Sequence, residues 1–200
     1  MKKQALFIHG GTTYKTQQAY LNHLRQMNVD LDRYKRIKWN DPYLLAQSLG
    51  IKFEVLIPKM PNPTNARFQE WAIVFTKILK KLNSNPILVG HSLGAVFLVK
   101  YLAVHKVPKK IKATLLIAPP YNDEPDEHLG SFTPPKNLSN LSQQGGQIII
   151  YHSKDDPVVP FMHLRQYQEA LPNALIRIFA KRGHFNQRTF PELIRDLRGL

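Results

Sequence analysis

The chain contains no cysteine among its 200 residues. Disulfides, thiolate nucleophiles, zinc–thiolate sites and iron–sulfur clusters are therefore excluded. Long apolar runs are also missing. The longest, at 71–75 and 95–99, hold five residues each, against the about 20 that a membrane-spanning helix needs. Near the N-terminus only Ala5, Leu6, Phe7 and Ile8 stand in an unbroken apolar run before His9. A secretory signal needs an apolar stretch of about 7–15 residues, so a cytoplasmic location is the expectation. Acidic residues are scarce too: 14 Asp and Glu stand against 28 Lys and Arg, a formal net charge of +14. Such a balance attracts nucleic acid and anionic surfaces without specificity. The basic residues are scattered, however. Apolar residues interrupt the densest groups, at 33–38 and 106–112, and no nucleic-acid module accompanies them. The charge reads as a solvated surface, and nucleic acid is not the expected partner.

What is present is an ordinary globular balance, 43% hydrophobic and 21% charged. At this length it predicts one domain over residues 1–200. Short apolar runs at 5–9, 53–57, 87–89, 113–118, 148–152 and 175–179 read as strands. Amphipathic or apolar stretches at 16–27, 68–82, 93–104, 161–171 and 191–200 read as helices. Strand and helix alternate, and the strands are nearly continuous in apolar residues. That pattern predicts an α/β fold of about six mostly parallel strands with helices on both faces. Two stretches break the rhythm: 31–50, polar and basic with a helical piece near 43–49, and 119–146, rich in Pro, Asn, Asp and Gly.

Gly90-His91-Ser92-Leu93-Gly94 is a Gly-x-Ser-x-Gly motif between the strand at 87–89 and the apolar helix at 93–104. A sharp strand-to-helix turn places such a serine above the sheet in a strained conformation, and glycines avoid collisions around it. The hydroxyl then sits at the positive end of a helix.

A serine nucleophile needs a base, and the base needs an orienting acid. In a turn of this kind the chain order is Ser, acid, His. Asp155 and Asp156 directly follow the strand at 148–152, so they lie at the same sheet edge as Ser92. His184, after a four-residue turn beyond the strand at 175–179, reaches that edge as well. Asp155 and Asp156 both remain open as the acid; Asp156 is preferred because Val159-Pro160 anchors the loop after it. His105 and His163, in or at the ends of helices, read as surface residues, and His152 precedes the acid. His128 could at most line the site. His9-Gly10-Gly11 ends the first strand and supplies a loop for an oxyanion hole, with the N–H groups of Gly11 and Leu93 as the candidate donors.

Together these strings resemble an α/β-hydrolase. Met60-Pro61-Asn62-Pro63-Thr64-Asn65-Ala66-Arg67 followed by Trp71, then Gly130-Ser131-Phe132 and Ser153-Lys154-Asp155-Asp156, narrow the resemblance. They are similar to small serine hydrolases of the retinoblastoma-binding protein 9 and YdeN type. The resemblance implies Ser92 as nucleophile, Asp156 as acid and His184 as base, in a fold without a large separate lid. The stretch at 31–50 is longer than that family leads one to expect.

The expected function is a serine hydrolase acting on a small-molecule acyl substrate, carboxylesterase-like. Tyr121 and Phe132, after the fourth strand, are candidate lining residues for the acyl group. Pro61 and Pro63 read as loop-fixing residues, and Trp71 and Phe75 as core. No metal is expected, since no His-Glu-x-x-His or carboxylate cluster stands out. Gly10-Gly11 lacks Gly-x-Gly-x-x-Gly, so no cofactor is expected either. The alternative is a binding protein on a hydrolase scaffold, with the basic surface serving nucleic acid or a protein partner.

Overall fold

The computed structural model of the protein describes residues 2–26, 41–125 and 127–200. Among them lie strands β1 (Lys3–Ile8), β2 (Phe53–Leu56), β3 (Ile87–His91), β4 (Ala113–Ile117), β5 (Gln147–Ser153) and β6 (Leu175–Phe179). They form one sheet in the order β2-β1-β3-β4-β5-β6, and every neighbouring pair is parallel. Each expected strand is present with its ends moved by two residues at most. His9 is the exception in kind: it lies just past β1 rather than inside it.

The apolar character of the strands follows their position. β4 is buried at every residue, and β3 at all but its last. The edge strand β6 is half-buried or exposed throughout. Alternate residues serve opposite faces, as the strand period requires. Leu6 and Ile8 of β1 join one core, while Ala5 and Phe7 join the other.

Helices α3 (Phe68–Lys81), α4 (Leu93–Val104), α5 (Ser139–Gln144) and α6 (Met162–Ala170) cover the first face. Helices α2 (Leu45–Leu49) and α7 (Pro191–Gly199) cover the second. α4 is apolar all round because ten of its twelve residues are buried. α3 turns Phe68, Trp71, Ala72, Phe75 and Leu79 inward at helical spacing. Its Phe75 ring meets Phe97 and Tyr101 of α4 edge-on, at 5.2 and 4.6 Å between centroids, a favoured aromatic geometry.

α5 lies inside the irregular stretch and was not expected, since Leu141 is its one buried residue. Its polar side chains explain it. Gln144 Nε2 donates to the carbonyls of Leu102 and His105, and Asn140 Nδ2 to that of Ala103. These are C-terminal carbonyls of α4, or follow it directly, and helix ends leave such groups without intrahelical partners. α1 (Gln17–Gln26) is present as expected but buries no side chain, and Met27 lies outside the described residues. So does 31–40, the first half of the extra stretch. Its second half packs Tyr43, Leu45 and Leu49 into the second core.

From β1 the chain steps outward to β2, crosses back over β1 to β3 and continues to β6. The winding therefore reverses between β1 and β3. A crevice opens at such a reversal beyond the carboxyl ends of the strands. Gly10 and Gly11 follow β1 there, and Ser92 follows β3.

Candidate active site

Ser92 sits between β3 and α4 with φ 53° and ψ −121°. A non-glycine residue at positive φ costs about 1–3 kcal/mol and persists only where its surroundings hold it. Here they do: the Ser92 N–H donates to the Ile117 carbonyl at 2.8 Å, and the Ser92 carbonyl accepts from the Ala95 amide at 2.9 Å. The two motif glycines are required by close approach rather than by their own φ. A Cβ on Gly94 would collide with the carbonyl oxygens of Ile8 and His9. One on Gly90 would lie 2.6 Å from the Gly94 carbonyl oxygen. The motif thus lets α4 start hard against the end of β1.

The loop after β1, the candidate oxyanion loop, is braced from behind. The His9 Nε2 accepts the Met60 amide at 2.9 Å, so its Nδ1 carries the proton and donates to the Gly10 carbonyl at 2.6 Å. The Thr12 amide donates to Pro63 O at 2.8 Å, and the Ala66 amide to Thr12 O at 2.9 Å. The fully buried Trp71 donates Nε1–H to Pro61 O at 2.7 Å. The Met60–Pro63 string therefore anchors the loop, which is the role its prolines suggested. Gly11, Ser92 and Leu93 line one narrow pocket. The Leu93 amide is the first in α4, a donor that a helix leaves without an internal acceptor.

His184 and Asp156 meet. The carboxylate can only accept, so His184 Nδ1–H donates to Oδ2 at 2.9 Å and Oδ1 at 3.1 Å. The Asp156 side chain is 0% exposed and that of His184 9%. Burial alone would raise the Asp156 carboxyl. The hydrogen bond and charge interaction with His184, together with amide bonds from Val159 and Val158, more than offset that and hold it below its ordinary value.

Asp155 takes a different place. Its Oδ1 accepts the amides of Gly183 at 2.9 Å and Arg182 at 3.1 Å, and the Ser153 hydroxyl at 2.5 Å. The Ser153 hydroxyl first, then the Gly183 amide, lower its carboxyl. Its bonds go to the backbone before His184 and not to the imidazole.

His91, inside the serine motif, was not singled out by sequence. Its Nε2–H donates to the His184 carbonyl at 2.9 Å, and the two rings lie 5.0 Å apart. Burial first, then the neighbouring His184, push its imidazole down to about 4.

The remaining histidines divide unevenly. His105 is exposed, as expected. His163 is not a surface residue: it is 1% exposed. Helix α6 presents it inward, where its Nδ1 accepts the Tyr121 amide at 3.2 Å and its Nε2–H donates to Glu124 at 2.7 Å. His163, Glu124 and His128 line the pocket beside Ser92. Of the two candidate lining residues, Phe132 is 0% exposed and its ring is taken up among Phe68, Trp71 and Phe97. Tyr121 is half-buried, with its ring edge-on to Tyr167 at 4.9 Å.

Residues 36–190 match the model of the serine hydrolase family. The chain belongs to that family. As a serine hydrolase it is 30% identical to the serine hydrolase RBBP9 of Rattus norvegicus over 148 residues, which is 74% of this chain and 78% of that protein. It is 27% identical to the protein YdeN of Bacillus subtilis over 191 residues, 92% of this chain and 87% of that one. The crystal structure of that B. subtilis protein superposes with a TM-score of 0.73 at 20% identity, covering 99% of this chain and 98% of that one. A meta-cleavage product hydrolase from Pseudomonas fluorescens gives a TM-score of 0.65 at 13% identity, over 98% and 88% of the two chains. The fold of this serine hydrolase is therefore that of the α/β-hydrolases.

Proposed function

We propose that this serine hydrolase cleaves small carboxylic esters through Ser92, His184 and Asp156, with an acyl-enzyme intermediate. The observation that carries the reading is the pairing of His184 Nδ1–H with both oxygens of buried Asp156. That pairing leaves Nε2 as the nitrogen able to take a proton. Ser92 Oγ gives its proton to His184 Nε2 and attacks the ester carbonyl carbon. The carbonyl oxygen gains the negative charge, and the Gly11 and Leu93 amides receive it. As the tetrahedral species collapses, His184 returns the proton to the alkoxide, and the alcohol leaves. Water, deprotonated by His184, then attacks the Ser92 ester and releases the carboxylic acid. Asp156 keeps the imidazole in its tautomer and stabilises the imidazolium. The narrow pocket walled by Gly11, Leu93, Val158 and Val159 favours a short acyl group.

The test is turnover of p-nitrophenyl acetate by Asp156→Asn. Asparagine holds a similar shape but favours the wrong tautomer of His184, and the expected loss in kcat is about 10³–10⁴-fold. Turnover equal to wild type would remove Asp156 from the machinery.

A further inference from the structure

We propose that His91 and Asp155 are positioning residues that clamp the backbone on either side of His184, tying the base to the nucleophile's turn and to the acid's loop. The inference rests on the triad proposed above. It begins with the turn that carries His184. Gly183 has φ 51° and Phe185 φ 54°, so left-handed residues flank the base on both sides. Glycine accepts that conformation freely, whereas phenylalanine does not. A strained turn of this kind holds its shape only if its surroundings over-determine it.

Asp156 does not supply that restraint. It grips one ring nitrogen, and its backbone bonds go to Val158 and Val159 of its own loop rather than to the turn that carries His184. The backbone is held by other groups. Before the base, Asp155 Oδ1 accepts the amides of Arg182 and Gly183. The Ser153 hydroxyl oxygen accepts the Arg182 amide as well, at 2.9 Å, while its proton goes to Asp155. After the base, His91 Nε2–H donates to the His184 carbonyl. Phe185 then turns inward, 1% exposed, onto Phe179 and Phe190 at 5.6 and 5.1 Å.

The positions of the two clamping residues matter as much as their bonds. His91 immediately precedes Ser92, so its bond to His184 fixes the base relative to the nucleophile's own turn. Asp155 immediately precedes Asp156, so its bonds fix the base relative to the acid's loop. The His91 imidazole also lies beside Gly10: a Cβ there would be 3.9 Å from Nδ1. One ring therefore stands between the oxyanion loop and the base. Its lowered basicity keeps one nitrogen protonated and the other bare, and the carbonyl of His184 selects Nε2 as the donor.

The test compares removal of each bond with its restoration, using p-nitrophenyl acetate. His91→Phe keeps a ring and loses the donor, and His91→Gln returns a donor. Asp155→Ala loses the acceptor, and Asp155→Asn returns it. His91→Phe and Asp155→Ala should each lose about tenfold to a hundredfold in kcat with KM changed by no more than about threefold, the signature of misplacement in the transition state. The Gln and Asn variants should recover most of that loss. Wild-type kcat in His91→Phe and Asp155→Ala, a change in KM alone, or equal losses in the restoring variants would overturn the proposal. Thermal melting checks folding. If His91→Phe does not fold, His91→Asn replaces it, since its donor is too short to reach the carbonyl; equal kcat for Asn and Gln then overturns the clamp. Ser92→Ala separates the two claims. Full turnover by Ser92→Ala removes the triad and the clamp with it. No turnover by Ser92→Ala, with full rates in His91→Phe and Asp155→Ala, removes the clamp alone.

Discussion

His91 shows how much one side chain does when its neighbours are close. It is held neutral by burial and by the charge of His184, against which the hydrogen bond to the His184 carbonyl and then Asp156 act, with the Tyr43 ring at 6.2 Å. The unfolded chain takes a proton on this residue near 6.5, whereas the folded chain refuses it until about 4. Between those values the unfolded state binds more protons, so stability falls as pH falls. Above 6.5 the contribution of His91 is fully present. Melting temperatures across that window should drop more steeply for wild type than for His91→Gln. Parallel curves would show that His91 does not resist protonation. The meeting of Asp156 with His184 was legible from chain order, since Ser92, Asp156 and His184 each follow a strand. The bonds of His91 and Asp155 were not legible, because they depend on where the backbone of the 182–185 turn lands. His163 misled for a related reason. Its place at a helix start suggests solvent, but tertiary packing turned that end toward the pocket.

At the scale of elements, the period of the apolar residues carried most of the reading. β1, β3, β4 and β5 are buried from both sides, so their apolar runs are unambiguous. α3 and α4 announce themselves by a stripe and by uniform apolarity. α5 had no such signal, since its purpose is polar. Gln144 accepts the Val107 amide at 2.9 Å besides donating to Leu102 and His105. Gln144→Ala strands these groups at the end of α4, the helix that follows Ser92. The expected cost is about 1–3 kcal/mol, or about 2–4 °C in melting temperature for each kcal/mol in a domain of this size. The lesion is at the far end of α4, so kcat should not change. A melting temperature within experimental error of wild type would show that α5 does not hold that helix end.

Over the whole molecule, the sheet assembles a site that no segment contains. The proposed oxyanion loop follows β1, the proposed nucleophile β3, the proposed acid β5 and the proposed base β6, so each strand delivers one part to a single edge. The winding reversal between β1 and β3 sets Gly11 beside Ser92. Among the described residues, no helix is long and apolar enough to cross a membrane. The net charge of the chain is +14, yet the pocket beside Ser92, where the proposed chemistry would take place, includes Glu124 and Glu127. On the proposed reading, reactivity of Ser92 is a property of the folded chain. The direct test is labelling by a fluorophosphonate probe, which bonds only to a serine whose neighbours activate it. The account predicts labelling of folded wild type at Ser92, and none of Ser92→Ala or of wild type in denaturing urea. Equal labelling of Ser92→Ala, or none of folded wild type, would contradict it.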